Sequence, residues 1–364
     1  MSIAYGGQKV TFADGSSISS GYTGFKNRII NGAMVIDQRN AGASVTPTTS
    51  QYVVDRWTTN IPVASKLTFQ QNAGSVTPPA GFTNYLGITS LSSYAVTATD
   101  SFHLRQPIEG LNVADLGWGS ASAATVTLSF WVRSSLTGTF GGALYNSAAN
   151  RTYVFSYTIN SANTWEQKSV TIAGDTSGTW LTSNGIGIYV QFSLGMGSTY
   201  SGAAGSWSST LYLSVTGAQS VVGTNGATFY ITGVQLELGT VATPFESRLY
   251  GHELALCQRY YAKTFNTSVA PAEGLGTDYL FYKQNTTYPE GVWHFPVEMR
   301  TAPTVTKYNF RSGGSAGQWT NSSSDSSNAR VLTTTTRWAG FDNTAISVSA
   351  SQWWLGGATA SAEL

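Results

Sequence analysis

The stretch NRIINGAMVIDQRN, residues 27–40, is largely apolar from Ile29 to Ile36 and then closes on Asp37, Gln38, Arg39 and Asn40. An extended apolar run needs a neighbour to take its backbone hydrogen bonds, and FYITGVQLELG, residues 229–239, is the matching run at the far end of the same strand-rich region. In this second run the apolar set Phe229, Ile231 slips by one residue to Val234, Leu236, Leu238, so a β-bulge at Gly233 is expected to restore the register. Laying the first run beside the last closes a two-sheet sandwich. The ionic residues Asp37 and Arg39, with Asp55 and Arg56 of VVDRWTT (53–59), are expected to form a local ion-pair and hydrogen-bond set that fixes this pairing.

Between the two runs period-two alternation dominates. In TVTLSFWVRSS (125–135), Val126, Leu128, Phe130 and Val132 share one face while Thr127, Ser129, Trp131 and Arg133 share the other. RTYVFSYTIN (151–160), EQKSVTIAG (166–174), IGIYVQFSLGMG (186–197) and STLYLSVTG (209–217) also read as strands, each bounded by Gly, Asn, Ser or Asp. Short strands without helices between them specify an antiparallel sandwich rather than a βαβ sheet. One helical spacing stands out, in TPFESRLYGHELALCQRYYAK (243–263), where Leu249, Leu256 and Tyr260 recur beside Leu254, Cys257 and Tyr261. Ser247 is the expected cap, with Arg259 and Lys263 near the C-terminal end. The expected organisation is an arm over residues 1–26, a sandwich over 27–248, a linking helix over 249–263 and a second, smaller β-domain over 264–364.

Composition narrows the function classes. Only 10% of the residues are charged and the formal net charge is +1, which argues against electrostatic capture of nucleic acid. The single cysteine, Cys257, excludes an internal disulfide framework. No secretory leader is legible in the first residues and no apolar run reaches the length of a membrane span, so cytoplasmic synthesis and no membrane partner are expected. A surface with so few charges suits burial against other subunits, where Ser, Thr and Asn pair without the desolvation cost of ions.

NRIINGAMVIDQR, VVDRW, the run from SFWVRSS to SGTW (129–180), FYITGVQLELGTVATPFESRLYGHELALCQRYYAK (229–263) and FPVEMRTAPTV (295–305) occur in one order. That combination resembles a family of bacteriophage virion proteins commonly labelled tail-fibre or minor structural proteins, over roughly residues 27–303. The resemblance implies that the larger domain is a jelly roll similar to the carbohydrate-binding modules of glycoside hydrolases. The fold class expected is therefore all-β: an antiparallel jelly-roll β-sandwich, a short helix and a second, smaller β-sandwich-like domain. Such modules often hold a structural calcium through acidic residues on the first and last strands. The matching places here are Ala33, Met34, Thr232 and Gly233, which supply no carboxylate, so no cofactor is expected. The resemblance further implies a place on the virion, a homotrimer, contact with other virion proteins through the arm, and host cell-surface glycans as partners.

Catalysis finds little support in the residues. His103, His252 and His294 lack metal-type spacing and are each expected to be hydrogen-bonded structural residues. No nucleophile motif or phosphate loop is present, and Asp175 in GDTSG and Asp325 in SSSDSSN read as turn caps. A non-enzymatic fibre or spike component is expected, with a capsid or tail cement protein as the alternative and a polysaccharide-degrading tailspike as a third. Sugar binding needs aromatic rings displayed among small residues. Trp118 in LGWGS, Trp180 in SGTWLTS, Tyr200 in GSTYSG and Trp207 in AGSWSS fit, against burial under a loop or in a subunit interface. Trp57 and Trp131 are assigned to structure.

Overall fold

The computed structural model describes residues 9–11, 17–19, 26–275, 280–282, 290–320, 325–326, 329–343 and 353–364. Most of the arm expected over residues 1–26 therefore lies outside the described residues. Within it, Lys9–Thr11 and Ser17–Ser19 pair antiparallel.

The chain is all-β apart from one α-helix among the described residues, and the alternating runs form two facing antiparallel sheets. In chain order the strands are β1 Tyr52–Val54, β2 Trp57–Asn60, β3 Leu67–Gln71, β4 Leu86–Ser90, β5 Ser101–Glu109 and β6 Val126–Ser134. They continue with β7 Gly138–Tyr145, β8 Thr152–Ile159, β9 Glu166–Ile172, β10 Ile186–Met196, β11 Trp207–Ser208 and β12 Thr228–Leu238. One sheet runs β11-β8-β7-β10-β5-β2-β1, the other β9-β6-β12-β4-β3. The chain crosses repeatedly between the sheets, as in a jelly roll, and each strand turns its apolar set inward. Val126, Leu128, Phe130 and Val132 are fully buried against Phe140, Phe155, Phe192 and Phe229. Phe130 lies 4.9 Å edge-on to both Phe192 and Tyr157, the geometry that the ring quadrupoles prefer.

The bulge lies where the alternation places it. The pairing of β12 with β6 shifts between Thr232 and Gln235, and Gly233 takes φ +61°. Val234 and Leu236 thereby regain the core, while Leu238 is left 43% exposed at the strand end.

Residues 27–36 do lie beside β12, although not as a regular strand. Arg28 N–H donates to Leu236 O at 2.9 Å and Val234 N–H to Gly32 O at 3.0 Å, filling the flank that β4 leaves after Ile231. The other side of the segment belongs to the opposite sheet, where the Gln106 amide of β5 binds both backbone groups of Ile30 at 2.9 and 2.8 Å. The segment is thus a bridge between the sheets. Asn31 and Met34, both at positive φ, break the extension, and the Asn31 side chain ties its own turn to Ile36 and Asp55. Gly32 is required here, since a Cβ would sit 2.1 Å from Val234 O.

Helix α1, Tyr250–Gln258, packs Cys257 against Ile30 and Ile36. It is shorter than the expected 249–263 and has no side-chain cap, so Ser247 does not serve as one. Instead the chain after Gln258 is drawn into the second domain: β13, Tyr261–Lys263, pairs with the long final strand. Leu249, expected on the packed face, is 83% exposed at the helix start. The second domain continues with β14 Glu290–His294, β15 Thr304–Asn309, β16 Ala329–Thr334, β17 Trp338–Asn343 and β18 Trp353–Ser361. β13 and β15 flank β18, while β14-β17-β16 form the facing sheet. Between them lie Trp293, Phe295, Met299, Trp319, Phe341 and the alanines of β18.

The charged set of the opening stretch does not pair within itself. Arg39 and Arg56 both close on Glu363, the former at 2.7 Å, so one carboxylate ties the opening stretch to the C-terminal segment. Arg259 and Tyr260 likewise reach back to Glu109 of β5 at 2.6 Å each. Asp37 caps its turn through Asn40 and Gly42, and Asp55 accepts from the Gln38 backbone and amide. The Lys263 ammonium rests on the carbonyls of Gln38, Thr267 and Val269. The expected set is thus local in its hydrogen bonds at Asp37 and Asp55, while its ion pairs are corrected: Arg39 and Arg56 meet Glu363 of the C-terminal segment rather than the two aspartates.

Burial raises the Asp55 carboxyl to about 6, against the opposing pull of Arg39 and Gln38. Between its ordinary value of 3.8 and about 6 the folded chain binds this proton more readily than the unfolded chain. Its contribution to stability therefore grows as pH falls through that window and is lost as pH rises through it. Thermal melts of the wild type and Asp55→Asn should differ progressively in favour of the wild type from pH 6 down to pH 4; parallel curves would refute the assignment.

Candidate functional site

Alternation in the seven-stranded sheet that buries Phe102, Leu104, Leu144, Val190 and Phe192 turns the residues between them to the opposite face. The outward set is His103 and Arg105 on β5, Ala143 and Tyr145 on β7, and Tyr189, Gln191 and Ser193 on β10. Register brings them together: Tyr189 stands opposite Tyr145, Gln191 opposite both Arg105 and Ala143, and Ser193 opposite His103. The Tyr145 and Tyr189 rings stack with centroids 4.6 Å apart and planes 18° from parallel. The Arg105 guanidinium lies 4.9 Å from the Tyr189 ring centroid, and its Nη1 donates to Tyr145 Oη at 3.0 Å.

The connection after β10, residues 197–218, folds back onto this face. STLYLSVTG, expected as a full strand, contributes only Ser214–Val215, which pairs parallel with Ser201–Gly202. The connection is held down by Gln191 Nε2 donating to Leu213 O at 2.5 Å and Thr152 Oγ1 donating to Tyr212 O at 2.7 Å. Gly141 permits the approach, since a Cβ there would meet Ser214 Oγ at 2.4 Å. Tyr200, Met196 and Leu211, all partly exposed, pack around Ala143, Tyr145 and Leu213.

This face concentrates unpaired polar atoms. Arg105 Nε, Gln191 Oε1, Ser193 Oγ, Ser214 Oγ and both ring nitrogens of His103 are buried with no protein partner. A buried polar group left unpaired costs about 1–3 kcal/mol, so this enclosed layer is a local cost to the stability of the sheet. Burial, reinforced by the Arg105 charge, holds His103 well below the usual histidine range and hence neutral. His103 was expected to be hydrogen-bonded; instead its ring is enclosed on a sheet face where cross-strand neighbours offer only Asn60 and Ser193. Burial disfavours the Arg105 charge, but Tyr145 and Tyr189 more than offset it, so the group stays protonated. Burial also pushes the Tyr145 hydroxyl up to about 12, which keeps it a neutral donor.

Of the four aromatic residues singled out in the sequence, only Tyr200 belongs to this face. The other three meet one another at a different edge, Trp118 and Trp180 from two connections and Trp207 from β11. Trp118, 8% exposed, stands edge-on to Trp180 at 4.8 Å and to Trp207 at 5.2 Å, and the latter two are 5.4 Å apart. Their N–H groups are engaged: Trp118 donates to Ala124 O, Trp207 to Ala173 O, and Trp180 to Ser177 O and Asp175. Asp175 caps its turn through Ser177 and also takes a fork of two bonds from Arg151 at 2.7 and 2.6 Å. The three rings thus stop the gap between β8–β11 of one sheet and the chain leaving β9 of the other. Trp180 and Trp207 remain half-exposed there.

The places matching the calcium ligands do not fit a metal. Thr232 Oγ1 donates to Asn84 O, and Gly233 is covered by Phe82 and Trp131. Among the described residues no three His, Cys, Asp or Glu side chains converge as a metal site. No described helix is long and apolar enough to cross a membrane.

Tyr145, Tyr189, Arg105 and Gln191 occupy regular strands rather than Gly/Ser-rich loops, so nothing in their local composition marks them as displayed side chains. The signal was present in IGIYVQFSLGMG, where Tyr189, Gln191 and Ser193 take the positions opposite the apolar set.

No family model matches the sequence, and no curated protein matches it. Solved structures similar to this chain include the enzymatically active domain of tailspike protein 4 of bacteriophage CBA120, at 12% identity and TM-score 0.31, covering 58% of this chain and 21% of that one. A putative sugar-binding protein from Bacteroides thetaiotaomicron matches at 13% identity and TM-score 0.32, over 59% of this chain and all of its own. The N-terminal cellulose-binding domain of Cellulomonas fimi β-1,4-glucanase C matches at 13% identity and TM-score 0.22, over 45% of this chain and 82% of its own. The chain spans about a fifth of the length of the tailspike chain.

Proposed function

We propose that this chain is a glycan-binding attachment component of a bacteriophage virion, a tail fibre or spike protein that meets the host surface with the outward face of its seven-stranded sheet. The observation that carries the glycan reading is the stacked Tyr145–Tyr189 pair beside Arg105, with Tyr189, Arg105 and the neighbouring Tyr200 partly exposed. A sugar ring offers an apolar CH surface to the partly exposed Tyr189 and Tyr200, and oxygens that accept from the Arg105 guanidinium. The sequence resemblance over residues 27–303 supports the virion. On this reading Tyr200 keeps its assignment, and Trp118, Trp180 and Trp207 close the sandwich edge.

Contacts with further copies, as a homotrimer, and with other virion proteins through the arm belong to the same proposal. Leu249, Val241 and Tyr250, at 83%, 71% and 56% exposure, are apolar surface available to such neighbours. They also favour the second reading, a cement protein without receptor binding. No catalytic step is assigned.

Binding of the purified protein to host-envelope polysaccharide tests the function. Tyr189→Ala is expected to weaken it five- to tenfold, about 1–1.5 kcal/mol of ring contact, with assembly unchanged. Absence of binding by the wild type, with loss of particle stability when the protein is removed, would establish the cement reading instead.

A further inference from the structure

We infer that the glycan recognised at this face carries a carboxylate, so that the ligand is a uronic-acid or similarly acidic sugar rather than a neutral one; this rests on the glycan reading above. The observation is a charge imbalance. Arg39 and Arg56 close on Glu363, with Asp55 behind Arg39. Arg105, by contrast, bonds no carboxylate among the described residues. Its recorded contacts are phenol oxygen and ring face: Tyr145 Oη accepts one N–H, and Tyr189 lies beneath the plane.

A half-buried guanidinium whose partners are phenols still has no formal counter-charge, and a protein that needed only to fill the position would place an apolar or amide side chain there. A guanidinium retained in an aromatic cup is instead suited to a carboxylate, whose two oxygens match its planar fork. The surroundings complete the fit to an acidic sugar. Tyr189 and Tyr200, both partly exposed, would take the ring face, and Tyr145 Oη can still donate its own proton while accepting from Arg105. His103, held neutral, adds no competing positive charge.

The test uses the full chain and a panel of uronic-acid polysaccharides, polygalacturonate, alginate and hyaluronan, each beside its carboxyl-reduced counterpart, which keeps the chain and loses the charge. A neutral β-glucan and a phosphorylated mannan complete the panel. Titration calorimetry should find at least one acidic polymer bound tenfold or more tightly than its reduced form, with the preference shrinking as salt is raised. Arg105→Gln should abolish the preference and leave the melting curve within a few degrees of wild type, whereas Tyr189→Ala should weaken both forms. Equal binding of acidic and reduced forms, or a preference that survives Arg105→Gln, overturns the carboxylate and leaves the glycan face standing. Selective binding of the phosphorylated mannan also overturns it, in favour of a phosphate. Binding of nothing in the panel overturns both readings.

Discussion

Glu363→Gln should be among the most damaging single substitutions in this protein, lowering stability by about 3–5 kcal/mol, the usual cost of removing one partner from a buried ion pair. Glu363 is the shared carboxylate of Arg39 and Arg56, and both guanidiniums lie largely inside the seam between the two domains. Arg56 sits over the Tyr260 ring at 3.6 Å and donates to Pro107 O at 2.6 Å; Arg39 lies over the Tyr261 ring at 3.8 Å. Neither can turn to water without dismantling these contacts. An amide keeps the shape but leaves two buried cations facing a neutral oxygen. Denaturant titration should show a lower midpoint and, because this seam couples the domains, separation of one transition into two. A midpoint unchanged within error would mean that the seam is held by the Glu109 contacts to Arg259 and Tyr260 instead.

The second large effect is expected at the sandwich edge. Trp118→Ala removes the ring on which Trp180 and Trp207 both rest, and large-to-small changes of this kind cost about 3–5 kcal/mol when the surroundings cannot collapse. Collapse is resisted here because Trp180 is tied to Asp175, Asp175 to Arg151, and Trp207 to Ala173. The folded fraction, assayed well below the melting temperature, should keep its glycan affinity, since this edge is separate from the Tyr145–Tyr189 face. Loss of affinity in a fully folded Trp118→Ala protein would move the binding site to the tryptophans.

These two predictions also show where reading the chain alone stops. The core of the sandwich was legible: Val126, Leu128, Phe130 and Val132 alternate and are buried, and the slip at Gly233 is the bulge that re-aims Val234 and Leu236. The adjacency of residues 27–36 to β12 was legible too, although the left-handed turns at Asn31 and Met34 convert a strand into a bridge held from both sheets. The helix was recognisable by spacing, but its end was not. Tyr261–Lys263 continue the helical pattern in sequence and yet serve as a strand, because the edge of β18 lies within reach.

What the amino-acid order determined by itself is everything that repeats over a few residues: which side of each strand is apolar, where that side changes, and where turns interrupt it. Side-chain direction in a strand follows from the backbone pleat alone, so these features survive without knowledge of any neighbour. Only the tertiary structure decided which distant groups meet. It set Glu363 against Arg39, 324 positions away, gathered three tryptophans from two connections and a short edge strand, and faced Tyr189 with Tyr145 beside Arg105. Coulomb attraction and ring contact act through space, and strand order and register establish those distances.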